Sequence, residues 1–236
     1  MELLIIVFLL GGLFLGWSLG ANDAANVFGT AVGTRMVQFK TAAIICSLFV
    51  ILGAIISGSG TTETLGKLGS INALPGAFAA CVAAGVSVYL MTKLGLPVST
   101  TQAIVGAIIG WNLYTGSSTN IQVLITILST WVLCPIIAGL IAMLFFVITK
   151  NFIQKGKLHI LRLDAYTRTA LLLAGAFGAY SLGANNIANV MGVFVPISPF
   201  TDINIFNSFN FSSKEQLFLL GGIAIAIGVF TYSKKV

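Results

Sequence analysis

Residues 18–33 read SLGANDAANVFGTAVG, and residues 181–196 read SLGANNIANVMGVFVP. Each copy closes a long apolar run, and each carries polar side chains at a depth where apolar ones are the norm. Asp23 stands inside the first copy, flanked by Asn22 and Asn26. Ionisable and amide groups inside a membrane span are costly and are kept for function. The doubled phrase therefore predicts an all-α integral membrane protein with a doubled binding site.

Composition points the same way. The chain is 57% hydrophobic and only 8% charged, with a mean hydropathy of +1.02. A soluble domain carries about 25% charge, so this chain cannot coat a water-facing surface. The net charge of +6 would suit nucleic acid. The basic residues cluster at the ends of apolar runs, however, as cytoplasmic loops require, and no nucleic-acid partner is expected. The first run has no basic residue before it and no clear small-residue cleavage site after it, so it reads as a retained span. Cys46, Cys81 and Cys134 lie in apolar runs without metal-ligand spacing and read as small hydrophobes.

A crossing helix needs about 20 apolar residues. Residues 3–19, 41–57, 75–92, 95–115, 121–149, 170–195 and 216–232 are the candidates, about seven crossings. Gly12, Gly16 and Gly20 form a smooth stripe for close helix packing. The first span is expected to break or unwind near Gly20 to Asn26. Residues 95–110, GLPVSTTQAIVGAIIG, either cross or dip in and return, since Pro97 and three hydroxyl residues interrupt them. Pro135 predicts a kink in the long span. The stretch holding Gly58, Gly60, Glu63, Lys67 and Gly69 reads as a short loop. Residues 197–215, with Phe200, Phe206, Phe209 and Phe211, read as a loop on the membrane surface. The organisation is a first repeat over 1–149, a basic cytoplasmic loop over 150–169, and a second, incomplete repeat over 170–236.

With the amino terminus outside, the inner loops hold Arg35, Lys40, Lys93, Lys150, Lys155, Lys157, Arg162, Arg168, Lys234 and Lys235. The outer loops hold only Lys67 and Lys214. That imbalance favours a multi-pass cell-membrane protein with an external amino terminus.

The copies stand 163 positions apart, and the match runs upstream: Gly12, Gly16 and Gly20 align with Gly175, Ala179 and Gly183. Trp17 aligns with Tyr180, and Asn22 and Asn26 align with Asn185 and Asn189. Five crossings between the copies would make the second enter from the opposite face. That is an inverted-topology repeat, which in secondary transporters places substrate and ions near the midplane where broken helices meet.

Asp23 needs a partner at membrane depth, and no Lys or Arg stands nearby, so a small cation or a proton is the natural companion. Asn22, Asn26 and backbone carbonyls offer further hard oxygen ligands suited to sodium. Pro97 suits a first helical turn, which would place Ser99, Thr100 and Thr101 beside free amides at the positive end of the helix dipole. That arrangement can hold an oxyanion without a cationic side chain. The competing reading has the hydroxyls bonding back to their own helix. An oxyanion and cations each enter a low-dielectric site more cheaply together, which is the physical content of symport.

The phrases GANDAAN at 20–26 and GANNIAN at 183–189, with GLPVSTTQ at 95–102, resemble the motifs of the PiT family of inorganic phosphate transporters. The resemblance spans nearly the whole chain. It implies sodium- or proton-coupled uptake of inorganic phosphate through inverted repeats with re-entrant segments, with no tightly bound cofactor. It implies that Ser99, Thr100, Thr101, Asn22 and Asn185 bind phosphate, and that Asp23, Asn26 and Asn189 hold sodium. Asn186 stands where the family usually has aspartate, so one negative charge is missing. A second hydroxyl motif would fall near 262–264, past Val236. The chain then reads as a fragment, a truncated product, or one part of a transporter completed by a further copy or a complementary chain. The alternatives are a sulfate permease of the same architecture and a non-transporting membrane subunit. No enzyme is expected, since the one histidine, His159, sits in a basic loop far from Asp23.

Overall fold

The computed structural model describes residues 2–68, 74–156, 159–205 and 209–235. The helices are α1 (Glu2–Gly33), α2 (Phe39–Ser57), α3 (Ser59–Gly66) and α4 (Leu74–Lys93), then α5 (Thr100–Thr115), α6 (Ile121–Lys155), α7 (Ile160–Met191) and α8 (Ser213–Thr231). Five of them are long and apolar enough to cross a membrane: α1 from Ile6, α2, α4, α6 and α8. The protein is an all-α, multi-pass membrane protein. It also carries a small antiparallel hairpin of β1 (Ile203–Ile205) and β2 (Phe209–Phe211), in the stretch read as a surface loop. Phe206 lies outside the described residues.

The core is built from α1, α2, α4, α5, α7 and α8, and the packing of α1, α2, α7 and α8 follows from small residues. On α1, Gly20 lies so close to the Ile225 carbonyl of α8 that a Cβ would collide with it. Gly228 of α8 meets the Trp17 carbonyl in the same way. The same pair of contacts joins α2 to α7, where Gly183 abuts the Val50 carbonyl and Gly53 abuts the Tyr180 carbonyl. Trp17 and Gly20 are the residues aligned with Tyr180 and Gly183. Without side chains at these points the backbones approach closely, which is how helices associate where the solvent is itself apolar.

The contacts also fix direction. Phe28 meets Gly175 and Gly12 meets Val190, so α1 and α7 run antiparallel. Gly16 meets Ala224 and Ala21 meets Gly228, so α1 and α8 run parallel. Arg35, Lys40, Arg162, Arg168 and Lys234 consequently gather at one end of the bundle. Lys67 and Lys214 fall at the other.

The expected break near Gly20 to Asn26 does not occur. Helix α1 continues from Glu2 to Gly33, and α7 runs unbroken through Gly183 to Asn189. The glycines serve close packing instead of unwinding, and the alanines between them keep helix propensity high. The helix ends where Arg35 takes a left-handed backbone, φ 60°.

Residues 95–110 belong to a helical hairpin. Helix α4 runs parallel to α1, with Phe78 against Gly11 and Gly85 against Phe14. Helix α5 then returns, placing Trp111 against Gly76. The hairpin turn packs against Asn22 of α1, so α5 doubles back along α4 inside the bundle. Ser59–Gly66, read as loop, forms α3 against α7, where Thr61 Oγ1 donates to the Ala184 carbonyl at 3.2 Å. The basic stretch 150–169 is mostly helical, because α6 extends to Lys155 and α7 starts at Ile160. His159 caps α7 by accepting the Leu161 N–H at 3.3 Å. Helix α6 continues through Pro135 and exposes its second half, including Leu140, Phe145 and Phe146, as a lipid-facing helix would.

Candidate functional site

Helix α5 begins at Thr100, with Ser99 as its N-cap. Pro97 therefore stands ahead of the cap instead of in the first turn. The Ser99 hydroxyl accepts the Gln102 N–H at 3.3 Å, so this side chain spends one lone pair on its own helix. The amides of Thr100 and Thr101 open the helix and have no partner within it.

Each of the next two hydroxyls reaches a different copy of the doubled phrase. Thr100 Oγ1 donates to Asp23 Oδ2 of α1 at 3.3 Å. Thr101 Oγ1 accepts from Asn189 Nδ2 of α7 at 2.8 Å. Asn189 also donates to Asn186 Oδ1 at 2.9 Å. The start of α5 is thus wedged between α1 and α7, with the carboxylate on one side and the amide pair on the other.

All of these groups except Asn189 line one cavity of about 850 Å³. Asp23, Asn26, Ser99, Thr100, Thr101, Asn185 and Asn186 all contribute to its wall. An adjoining cavity of about 540 Å³ adds Asn189, Thr61, Gln102 and Thr130, and shares Ser99, Thr101, Cys134 and Asn185 with the first. A third, of about 410 Å³, lies towards the basic end and is lined by Gly29, Phe39, Cys46, Gly95 and Lys234. Asn26 and Pro97 border both this third cavity and the Asp23 cavity, so the hairpin turn is the wall between them.

Of the binding residues expected from sequence, Asn22 alone lies apart from these walls. It is fully buried against the turn of the hairpin. Its aligned partner Asn185 is exposed and borders two cavities. Aligned positions therefore have different surroundings in the two copies. The converse holds for Asn26, which is exposed, and Asn189, which is 4% exposed and fully engaged through its amide hydrogens.

Sequence reasoning missed Thr61, Gln102, Thr130 and Ser181 as lining residues. Thr61 hid in a stretch read as loop. Ser181 opens the second phrase, and its aligned partner Ser18 is buried at 1% exposure, so a comparison of the copies alone cannot find it. Chemically, the walls offer one carboxylate, several amide oxygens, hydroxyls and two helix-start amides. That set suits an oxyanion beside a hard cation. Among the described residues there is no cluster of three His, Cys, Asp or Glu side chains that would hold a transition metal.

Residues 19–164 match the model of the phosphate transporter family. Two proteins carrying the name "Putative phosphate permease" are similar to the chain. The one from Pyrococcus furiosus is 26% identical over 99% of this chain and 74% of its own length. The one from Chlamydia pneumoniae is 38% identical over 61% of this chain and 36% of its own length. A solved structure described as "The sodium-dependent phosphate transporter" superposes with a TM-score of 0.76 at 24% identity, covering 98% of this chain and 76% of that one. The chain spans a little over a third of the Chlamydia protein and about three quarters of the other two.

Proposed function

The chain belongs to the phosphate transporter family, and from that premise we propose that it moves inorganic phosphate across the membrane together with sodium ions. The observation that carries the reading is the meeting of Asp23 with the hydroxyl-rich start of α5 in one cavity at membrane depth. Phosphate would lie against the Thr100 and Thr101 amides and the hydroxyl and amide groups of Ser99, Thr101 and Asn185. Sodium would lie against Asp23 and Asn26, with Asn189 supplying its remaining amide oxygen. Anion and cation each offset the other's desolvation, so neither enters readily alone.

Sodium is favoured over protons because the amide and hydroxyl oxygens around Asp23 are ligands for a hard cation and are not proton carriers. The name of the superposing structure also specifies sodium. The recurring glycine contacts, joining α1 to α8 and α2 to α7, support an inverted repeat. The gathering of basic residues at one end supports an external amino terminus and a cytoplasmic face at Arg35, Lys40 and Lys234. Asn186, in place of a carboxylate, leaves the α7 side of the site neutral, which favours fewer bound cations than two carboxylates would hold.

The test is labelled phosphate uptake into proteoliposomes, with and without an inward sodium gradient and with excess sulfate as competitor. Uptake is expected to require sodium and to resist sulfate. Strong inhibition by the excess sulfate would overturn phosphate as the preferred substrate, and an equal rate under a proton gradient alone would overturn sodium.

The Thr100 hydroxyl donates to Asp23, so Thr100→Val removes a charge-assisted hydrogen bond worth about 1.5 kcal/mol or more. The half-saturating sodium concentration should rise about tenfold, with a smaller change for phosphate. A larger change for phosphate than for sodium would place Thr100 on the anion instead.

A further inference from the structure

Asn22 spends its whole side chain on one short turn. Its Nδ2 donates to Thr92 Oγ1 at 2.8 Å and to the Leu96 carbonyl at 3.3 Å. Its Oδ1 accepts the Val98 N–H at 3.2 Å. Both amide hydrogens and the oxygen are thus engaged, and the residue is 0% exposed. The three partners bracket the link between α4 and α5. That link holds Gly95 in a left-handed conformation, φ 69°, two residues before Pro97. Thr92 is itself anchored, donating to the Val88 carbonyl at 2.7 Å.

The chain passes directly from this turn into the site wall. Ser99 is the next residue after Val98, Thr100 bonds Asp23, and Thr101 bonds Asn189. Asp23 is the immediate neighbour of Asn22 on α1. One helix therefore contributes two adjacent side chains to the same hairpin, one holding the turn and one facing the first helical residue.

We propose that Asn22 is a positioning residue: it latches the α4–α5 turn to α1 and so sets the depth and direction of Ser99 to Thr101 against Asp23, instead of binding the transported ions. The turn is also the wall between the Asp23 cavity and the cavity at the basic end, since Pro97 borders both. Releasing the latch loosens that wall and the first turn of α5 together. Rigidly held ligands bind tightly because little ordering remains to be done, so the loss should appear as weaker binding more than as slower turnover. The change in uptake rests on the phosphate reading, whereas the latch itself does not.

The experiment uses a Cys134→Ser, Leu96→Cys reference protein in proteoliposomes, carrying a nitroxide on Cys at position 96. Leu96 is 50% exposed, while Cys46 and Cys81 are buried. Asn22→Ala is expected to raise nitroxide mobility and to raise the half-saturating phosphate concentration about tenfold, with maximal rate changed less than about twofold. Thr92→Val should do the same to a smaller degree, and Thr92→Ser, which keeps the acceptor, should match the reference. The double variant Asn22→Ala, Thr92→Val should be no worse than Asn22→Ala alone. Unchanged mobility, additive effects, or a loss confined to maximal rate would overturn the latch. If Asn22→Ala fails to insert, the Thr92→Val and Thr92→Ser pair decides by the same criteria. Raised mobility in Asn22→Ala, together with no phosphate uptake by the unsubstituted chain, would uphold the latch and overturn the phosphate reading.

Discussion

Replacing Asp23 by asparagine is expected to abolish sodium-driven phosphate uptake, by about a hundredfold or more, while leaving membrane insertion intact. Asp23 is 9% exposed and faces the cavity beside the start of α5. Its surroundings on α1, α5 and α7 are amides, hydroxyls and apolar groups, with no Lys or Arg among the residues that line the cavity. The substitution keeps the shape and the Thr100 contact but removes the only formal negative charge on that wall. Losing one partner of a buried charge pair costs about 3–5 kcal/mol, which is two orders of magnitude or more in affinity. Asn186 sharpens the expectation, because the second copy already has an amide at the aligned position and cannot substitute for the lost charge. The measurement is sodium-gradient uptake in proteoliposomes, normalised to inserted protein. Uptake by Asp23→Asn within threefold of the parent would remove Asp23 from the coupling role.

The neutralised site should also lose its sodium dependence in binding. Phosphate binding measured with and without sodium should differ strongly in the parent and little in Asp23→Asn. A variant that binds phosphate weakly yet keeps the full sodium enhancement would assign the cation to other oxygens, such as the amide oxygens of Asn26 and Asn189.

The gathering of the candidate residues was legible in the sequence because their types violate their surroundings. A carboxylate, paired asparagines and three hydroxyls inside apolar runs have few structural uses, and the structure brings Asp23, Ser99, Thr100, Thr101, Asn185 and Asn186 to one cavity. The division of labour among them was not legible. Asn22 and Asn185 look equivalent by alignment, yet one is buried against a turn and the other lines two cavities. That difference depends on which element packs against each helix, and local sequence does not encode it. The same holds for Ser99, whose hydroxyl caps α5. Pro97 suggested an earlier helix start, but the Val98 N–H goes to Asn22, so the helix begins after it.

The fold was legible at the level of spans and ends. Hydropathy marks α1, α2, α4, α6 and α8 because length and apolar content suffice. Helix α3 was missed because an eight-residue polar segment, SGTTETLG, resembles a loop in composition. Its helical state comes from packing on α7. The break predicted in α1 failed because glycine has two uses in a membrane helix. It can release the backbone, or it can let another backbone in. Only the neighbouring helix decides between them, and at Gly20 that neighbour is α8.

That distinction yields the second large effect. Gly20→Ala is expected to destabilise the protein severely, and Gly29→Ala, nine residues along the same helix, is not. A Cβ at Gly20 would collide with the Ile225 carbonyl carbon and oxygen, which belong to the backbone of α8 and cannot rotate away. A Cβ at Gly29 would meet nothing within 4 Å. Overpacking a well-packed interface costs about 1–3 kcal/mol when side chains can adjust, and here only a shift of α8 would relieve the clash. At Gly29 alanine should instead favour the helix by up to about 1 kcal/mol. Gly183→Ala, which collides with the Val50 carbonyl on α2, should match Gly20→Ala closely, because aligned glycines make the same contact on the other helix pair. The measurement is the thermal unfolding midpoint and the monodisperse yield of the detergent-purified protein. Gly20→Ala and Gly183→Ala should both lose most of the folded yield, while Gly29→Ala should hold or raise the midpoint. Equal tolerance at Gly20 and Gly29 would show that α1 and α8 do not approach at Gly20, and a large gap between Gly20→Ala and Gly183→Ala would break the equivalence of the two helix pairs.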